Sequence, residues 1–319
     1  MKYTILFRLV PIVLLFVAAT ASYAQKPFPA EGVVKQTFTY AVKDSALQLD
    51  YYSPESMAGR KTPVVLFVFG GAFVGGNRDA AIYNRYFDTL LNCGYKVVSI
   101  SYRLGMKGVN KVSVFNTRPL HHAITMAVED LYDATNWLIR FSDSLGFDTS
   151  KIILSGSSAG AITVLEADFM KSNRKKEALV LPAGFNYAAV VAFSGAILSY
   201  DGKLKYKNPP APALLFHGTT DRIVPYNKIR FFNKGFYGSS FVAKTYLRQN
   251  LPYTVFRVKD MGHEISVQPM NNQLPLILDF IRDHVMEKKQ YQADILFKDP
   301  DEKPTITINA NQMFDRLAQ

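Results

Sequence analysis

The chain has one cysteine, Cys93, among 319 residues. A single thiol excludes an internal disulfide, so stability must come from a hydrophobic core that this length can build. No Cys-x-x-Cys pair and no histidine cluster has metal-ligand spacing, so neither a metal nor another cofactor is expected. Cys93 lies in "LLNCGYKVV", between a helical and a strand pattern, where a small buried residue is expected. Acidic residues are the scarcer charge, 26 against 37 basic ones, for a net +11. The cations are dispersed apart from "KSNRKKE" (Lys171–Glu177), and no aromatic-rich basic face accompanies that run. It reads as a helix end or solvated loop, and nucleic acid is not an expected partner. There is no GxxxxGK[ST] and no GxGxxG, which excludes the common phosphate loops.

Long apolar runs are also missing after the first twenty residues. "MKYTILFR" is a short basic start, "LVPIVLLFVAAT" is too short to span a bilayer comfortably, and "ASYAQ" offers small residues Ser22 and Ala24. Residues 1–24 are expected to be a Sec-type export signal, with Gln25 the first mature residue, delivery to the periplasm or the outside, and no membrane span after cleavage. Losing Lys2 and Arg8 with the signal would lower the charge by two, to +9. Residues 25–290 read as one domain without repeats or a clear linker. Residues 291–319 read as a charged, mixed extension in which "TITIN" would either form a strand or pack along the surface.

Within the domain the hydrophobic pattern changes once. "KQTFTYAV" and "LQLDYYS" alternate, as an antiparallel pair at a sheet edge would. From there "PVVLFVF", "YKVVSISY", "KIILSG", "YAAVVAFSG", "ALLFHG" and "YTVFRVKD" are continuous apolar runs, the mark of strands buried on both faces. Helical patterns lie between many of them. The longest, "LHHAITMAVEDLYDATNWLIRF", carries Leu120, Ile124, Ala127, Leu131 and Leu138 on one stripe. The alternation predicts a mostly parallel sheet covered on both sides, whose chemistry belongs at the carboxyl ends of the strands.

The residues at those ends are reactive types. "KIIL" runs into Gly156-Ser157-Ser158-Ala159-Gly160, a Gly-x-Ser-x-Gly turn between a buried strand and a helix. Ser158 is the expected nucleophile, Ser157 points away, and Ser155 belongs to the strand. A serine hydroxyl needs a base. Of the five histidines, His121 and His122 sit in the long helix, His284 in the last helix, and His217 ends a strand as a core residue. His263, in the loop "KDMGHEI" after the last buried strand, is the expected base. Asp221, in "HGTTDRIVPY" at the preceding strand end, is the expected carboxylate; Asp260 and Asp201 are its rivals. The turn "VFGGAF" after the first buried strand would direct the amides of Gly71 and Ala72, with that of Ala159, at a developing oxyanion.

The order Ser158, Asp221, His263 on such a sheet, with a glycine turn some eighty residues before the serine, resembles the α/β-hydrolase superfamily in its carboxylesterase and carbohydrate-esterase branch. "FGGAF", "SYRL", "DLYDATNWL" and "HGTTDRIVPY" carry the likeness over nearly the whole mature chain. It implies an α/β-hydrolase fold of about eight strands and two-step hydrolysis of a carboxylic ester. The substrate implied is a small-molecule or glycan ester with an acetyl, feruloyl or other short acyl group. Acyl transfer to an alcohol, or peptide cleavage, would use the same three residues, and a non-catalytic relative would keep the fold alone. Phe69 stands where many members of the superfamily have a histidine that supports the oxyanion loop, which leaves that support unassigned. Phe69 and Phe73 are expected to contact substrate. The stretch between "AFSGA" and "PAPALLF" is too short for a large cap, whereas "KIRFFNKGFYGSSF" is long and aromatic enough to wall the site.

Overall fold

The computed structural model describes residues 28–109 and 116–317; the expected export signal at residues 1–24 lies outside the described residues. A nine-stranded sheet forms the centre. Its strands are β1 (Val33–Val42), β2 (Ala46–Pro54), β3 (Thr62–Val68), β4 (Lys96–Ile100), β5 (Phe147–Ser157), β6 (Ala189–Phe193), β8 (Ala213–Gly218), β11 (Tyr253–Val258) and β12 (Gln292–Phe297). They run in the order β1-β2-β4-β3-β5-β6-β8-β11-β12. The alternating pair β1 and β2 is antiparallel, and β2 joins β4 antiparallel. From β4 to β12 every neighbouring pair is parallel. Strands β4, β6 and β8 are buried along their whole length, which explains their unbroken apolar sequences.

The helices are α1 (Asn84–Asn92), α2 (Arg118–Arg140), α3 (Ser142–Leu145), α4 (Ala159–Ser172), α5 (Ser239–Arg248), α6 (Pro269–Asn272), α7 (Leu274–Ile281) and α8 (Ala310–Leu317). Helix α2 packs on α4, whereas α1 packs on α6 and α7. On α2 the expected stripe faces inward, with Ile124, Ala127, Leu131 and Leu138 buried and Leu120 partly so. Helix α4 is buried almost all round, because it runs through the core behind the strand ends.

Three features depart from the expectations. The sheet gains a ninth strand, β12, from "QADILF", while "TITIN" stays irregular. The aromatic stretch after Asp221 forms the hairpin β9 (Lys228–Phe231) and β10 (Lys234–Gly238), which pairs with β7 (Ala196–Ser199) in a separate three-stranded sheet. Cys93 is exposed, not buried: it follows the last residue of α1, where the chain leaves the helix before turning into β4.

Parallel register sets where the loops emerge. Val68 pairs with Gly156, so the glycine turn after β3 comes out beside the serine turn after β5. Gly218 pairs with Val258, so the loops carrying Asp221 and His263 also emerge side by side.

Candidate active site

Ser158 closes the β5–α4 turn with φ 51° and ψ −115°. That conformation costs a non-glycine residue on the order of 1–3 kcal/mol and persists only where the surroundings impose it. Here the flanking glycines allow the imposition. A Cβ at Gly156 would stand 2.4 Å from the carbonyl carbon of Gly160, and one at Gly160 would stand 2.0 Å from the Val68 carbonyl oxygen. The three serines have separate fates. Ser155 shares a hydrogen bond with the Tyr86 hydroxyl, and Ser157 donates to the Ser266 carbonyl at 2.8 Å. Ser158 alone turns its hydroxyl to His263, 2.8 Å from Nε2.

His263 starts a short helical turn (His263–Ser266) and is buried. Its Nδ1 lies 2.7 Å from Asp221 Oδ2. With the proton on Nδ1, the ring donates to the carboxylate and leaves Nε2 free to accept from Ser158. The other Asp221 oxygen accepts from the amides of Ile223 and Val224 at 2.8 and 3.0 Å. Burial pushes the Asp221 carboxyl up, but hydrogen bonds from His217 and His263 outweigh it and hold the group well below the usual carboxylate range. The rival carboxylates lie elsewhere. Asp260 is exposed and pairs with Lys298, and Asp201 is exposed and pairs with Lys175.

The glycine turn faces the serine turn as the register requires. Gly71 has φ +132°, and a Cβ there would overlap the Gly75 carbonyl oxygen at 2.0 Å. Ala72 and Phe73 follow with φ 55° and 59°. Among the described residues, no acceptor takes the amides of Gly71, Ala72 or Ala159. Two tyrosines support the underside of the turn, in place of the absent histidine. The Gly70 amide donates to the Tyr83 hydroxyl at 3.1 Å, and the Tyr102 hydroxyl donates to the Phe69 carbonyl at 3.0 Å.

Beside Ser158 lies a cavity of about 50 Å³, lined by Ala72, Phe73, Ile162 and Phe236 among others. Phe73 is therefore at the site. Phe69 is not: its ring packs on Tyr102, 4.6 Å between centroids, beneath the turn and outside the cavity lining. A strand-end side chain that points into the core cannot also face the cleft. A larger cavity of about 810 Å³ adjoins, between the β9–β10 hairpin and residues 309–311, with Asp221, Ile223 and Phe236 on its wall. Lys228 and Lys234 border it without a carboxylate partner among the described residues.

Two functional neighbours were not singled out in the sequence. His217, read as a core histidine, is buried and donates or accepts at Ser239 Oγ, yet its Nε2 also comes within 3.4 Å of Asp221 Oδ2. Its place four residues before Asp221 was the available signal. Glu264, next to His263, accepts from the amides of Gly262 and Ile306 and so joins the His263 loop to the C-terminal segment. Nothing local to Glu264 announces a partner more than forty residues away.

Residues 49–198 match the family model described as BD-FAE. Over 129 residues the chain is 33% identical to carboxylesterase 5A of Homo sapiens, and over 172 residues it is 28% identical to lipase 2 of Geotrichum candidum. These matches cover 39% and 53% of this chain but only 20% and 28% of those proteins. Among solved structures, esterase B from Lactobacillus Rhamnosis is similar with TM-score 0.58 and 17% identity, covering 83% of this chain and 90% of that one. Butyrate-bound esterase 2 of Thermogutta terrifontis is similar with TM-score 0.58 and 17% identity, covering 81% and 97%. Strand order, the serine turn at the end of β5 and these likenesses together establish that the chain has the α/β-hydrolase fold.

Proposed function

We propose that the protein is an exported serine esterase that hydrolyses a short-acyl carboxylic ester through Ser158, His263 and Asp221. The observation that carries this reading is the buried relay from Ser158 Oγ to His263 Nε2 and from His263 Nδ1 to Asp221, at 2.8 and 2.7 Å, below three amides that lack acceptors. His263 takes the proton as Ser158 Oγ attacks the ester carbonyl. The amides of Gly71, Ala72 and Ala159 hold the oxyanion, at the amino end of α4, whose dipole favours negative charge. Collapse breaks the carbon–oxygen bond to the alcohol, which leaves with the proton from His263. Water then attacks the acyl-enzyme, gives a proton to His263, and Ser158 recovers it as the acid departs. Asp221 keeps the imidazole in the accepting tautomer and stabilises its charged form.

The sizes of the two cavities support a small acyl group on a larger alcohol. About 50 Å³ accommodates only a few water-sized groups, which suits an acetyl better than a feruloyl group. The larger cavity, bordered by Lys228 over the Phe241 ring and Lys234 over the Tyr200 ring, has room for a sugar or another polar alcohol. Acetyl esters on an accessible glycan are the substrates we favour, which accords with export. The comparison with carboxylesterase 5A and lipase 2 supports ester chemistry over peptide cleavage.

A fluorophosphonate probe tests the nucleophile: intact-mass analysis should find one adduct on the native protein and none on Ser158→Ala. An adduct that persists in Ser158→Ala would falsify the assignment. Release of acetate from acetylated sugars, measured beside release of ferulate from feruloylated ones, tests the substrate class. A mature amino terminus at Gln25, read by mass spectrometry of the cell-exported protein, tests the localisation.

A further inference from the structure

The C-terminal segment returns to the site. Strand β12 pairs with β11 from Tyr253↔Gln292 to Val258↔Phe297, and Arg257 clasps Asp294 across that pair with two hydrogen bonds at 2.5 and 2.7 Å. Beyond the strand, Lys298 reaches Asp260 at 3.2 Å. The chain then passes the His263 loop so closely that a Cβ on Gly262 would lie 2.8 Å from the Ile306 carbonyl oxygen. There the Ile306 amide donates to Glu264 Oε2 at 3.1 Å. The segment is thus tied to the residue beside the proposed base.

Helix α8 follows, and its start is defined by a reciprocal cap. The Asn309 amide donates to Gln312 Oε1 at 2.9 Å, and the Gln312 amide donates to Asn309 Oδ1 at 3.1 Å. This fixes Ala310 and Met313, one turn apart on the same face, and both line the cavity at Ser158. Ala310 also lines the larger cavity, as do Ile223 and Phe236. Helix α8 therefore stands where the two cavities meet. The leaving oxygen must stay near His263 Nε2 to be protonated. The small cavity is lined by Ser158 itself and by Ala72 and Ala159, whose amides face the oxyanion, whereas the larger cavity touches Asp221 but none of these three, so the small cavity is the acyl side.

We propose that α8 is the selectivity wall of the site, with Met313 setting the upper limit on acyl length at Ser158 and Ala310 marking the passage to the larger cavity. This rests on the reading of Ser158 as the nucleophile. A flexible methionine filling one side of a tight apolar cavity excludes chains that would otherwise extend there. Each methylene that a pocket admits or refuses changes discrimination by about tenfold or more.

The test compares wild type, Met313→Ala and Met313→Trp. Turnover of p-nitrophenyl acetate, butyrate and hexanoate is measured, together with the rate at which methyl- and hexyl-phosphonofluoridates modify Ser158, followed by intact mass. In Met313→Ala the hexanoate-to-acetate ratio of kcat/KM should rise at least about tenfold, and the hexyl-to-methyl labelling ratio should rise in parallel. Urea midpoints report that each variant is folded, and the two ratios, not the absolute acetate rate, carry the test. In Met313→Trp both ratios should fall. Labelled protein whose ratios do not move in either variant overturns the wall and leaves the nucleophile standing. Labelling of Ser158 without turnover of any ester, but with the ratios shifted, supports the wall and removes the hydrolytic reading. Wild type that neither probe labels removes the nucleophile, and the wall with it.

Discussion

The serine turn and the rim that covers it are built in opposite ways. At the turn, β5 and α4 are buried, backbone approaches backbone at glycines, and Ser158 is held in a conformation its own preferences disfavour. At the rim, every residue of β9 is exposed, Phe232 is 79% exposed, and α8 meets the Ser158 cavity through Ala310 and Met313. The contrast teaches where each property resides. Reactivity needs atoms placed to a fraction of an ångström, and only an over-determined core supplies that. Selectivity needs a wall of the right size, which an exposed hairpin and a short helix can supply and change at little cost to folding.

Substitutions can break this contrast, and the largest effect belongs to the buried side. Asp221→Asn should lower kcat by about 10³–10⁴ with KM nearly unchanged, because the imidazole loses the carboxylate that selects its tautomer. Steady-state kinetics on a short p-nitrophenyl ester would show it, and a loss of less than tenfold would mean that His263 does not depend on Asp221. Next comes Gly160→Ala. Its methyl would meet the Val68 carbonyl at 2.0 Å, so it should destabilise by roughly 3 kcal/mol in urea melts. A silent change there would mean the turn is looser than its neighbours imply.

The third prediction concerns two acids buried behind the turn. Glu166 accepts the Leu198 amide and Asp168 the Ala211 amide, which ties α4 to the chain before β8 and to β7. Burial raises Glu166 to about 8 and Asp168 to about 7, against backbone hydrogen bonds that lower both. Both groups hold protons in the folded chain at pH values where the unfolded chain has released them. Stability should therefore fall as pH rises from about 4 and level off above about 8, by at most about 1.4 kcal/mol per pH unit for each group. Glu166→Gln should flatten the upper part of that slope, as measured by urea midpoints from pH 5 to 9; an unchanged slope would exclude Glu166 as its source. The smallest effect is at the rim: Phe232→Ser should leave stability within about 0.5 kcal/mol, since that ring is mostly in water already. A drop of several times that size would show the hairpin to be part of the core and would end the contrast.

Much of the turn was legible in the residues. Gly156, Ser158 and Gly160 signal a sharp bend because only glycine tolerates the contacts on either side. The unbroken apolar runs placed β3, β4, β5, β6, β8 and β11 because a strand buried on both faces has no polar position to offer. Strand β12 was missed for the opposite reason. "QADILF" is half exposed at a sheet edge, so its pattern is too weak to separate from surface chain. Phe69 packs on Tyr102 outside the Ser158 cavity lining, unlike its expected place, because the family position says nothing of which way its side chain points. The support of the glycine turn by Tyr83 and Tyr102, and the approach of His217 to Asp221, depend on pairs brought together across strands.

What the amino-acid order by itself determined is the inner strands of the main sheet, the reactive residue types at their ends and the glycines the turns require, since each follows from local sterics and burial. Only the tertiary structure decided that Met313 and Ala310 of α8 stand beside Ser158, and that the cavity there is far smaller than its neighbour. The reason is distance along the chain. Met313 follows the serine by more than 150 residues, and its position depends on edge pairing, one glutamate and a helix cap, none of which leaves a periodic trace in the sequence.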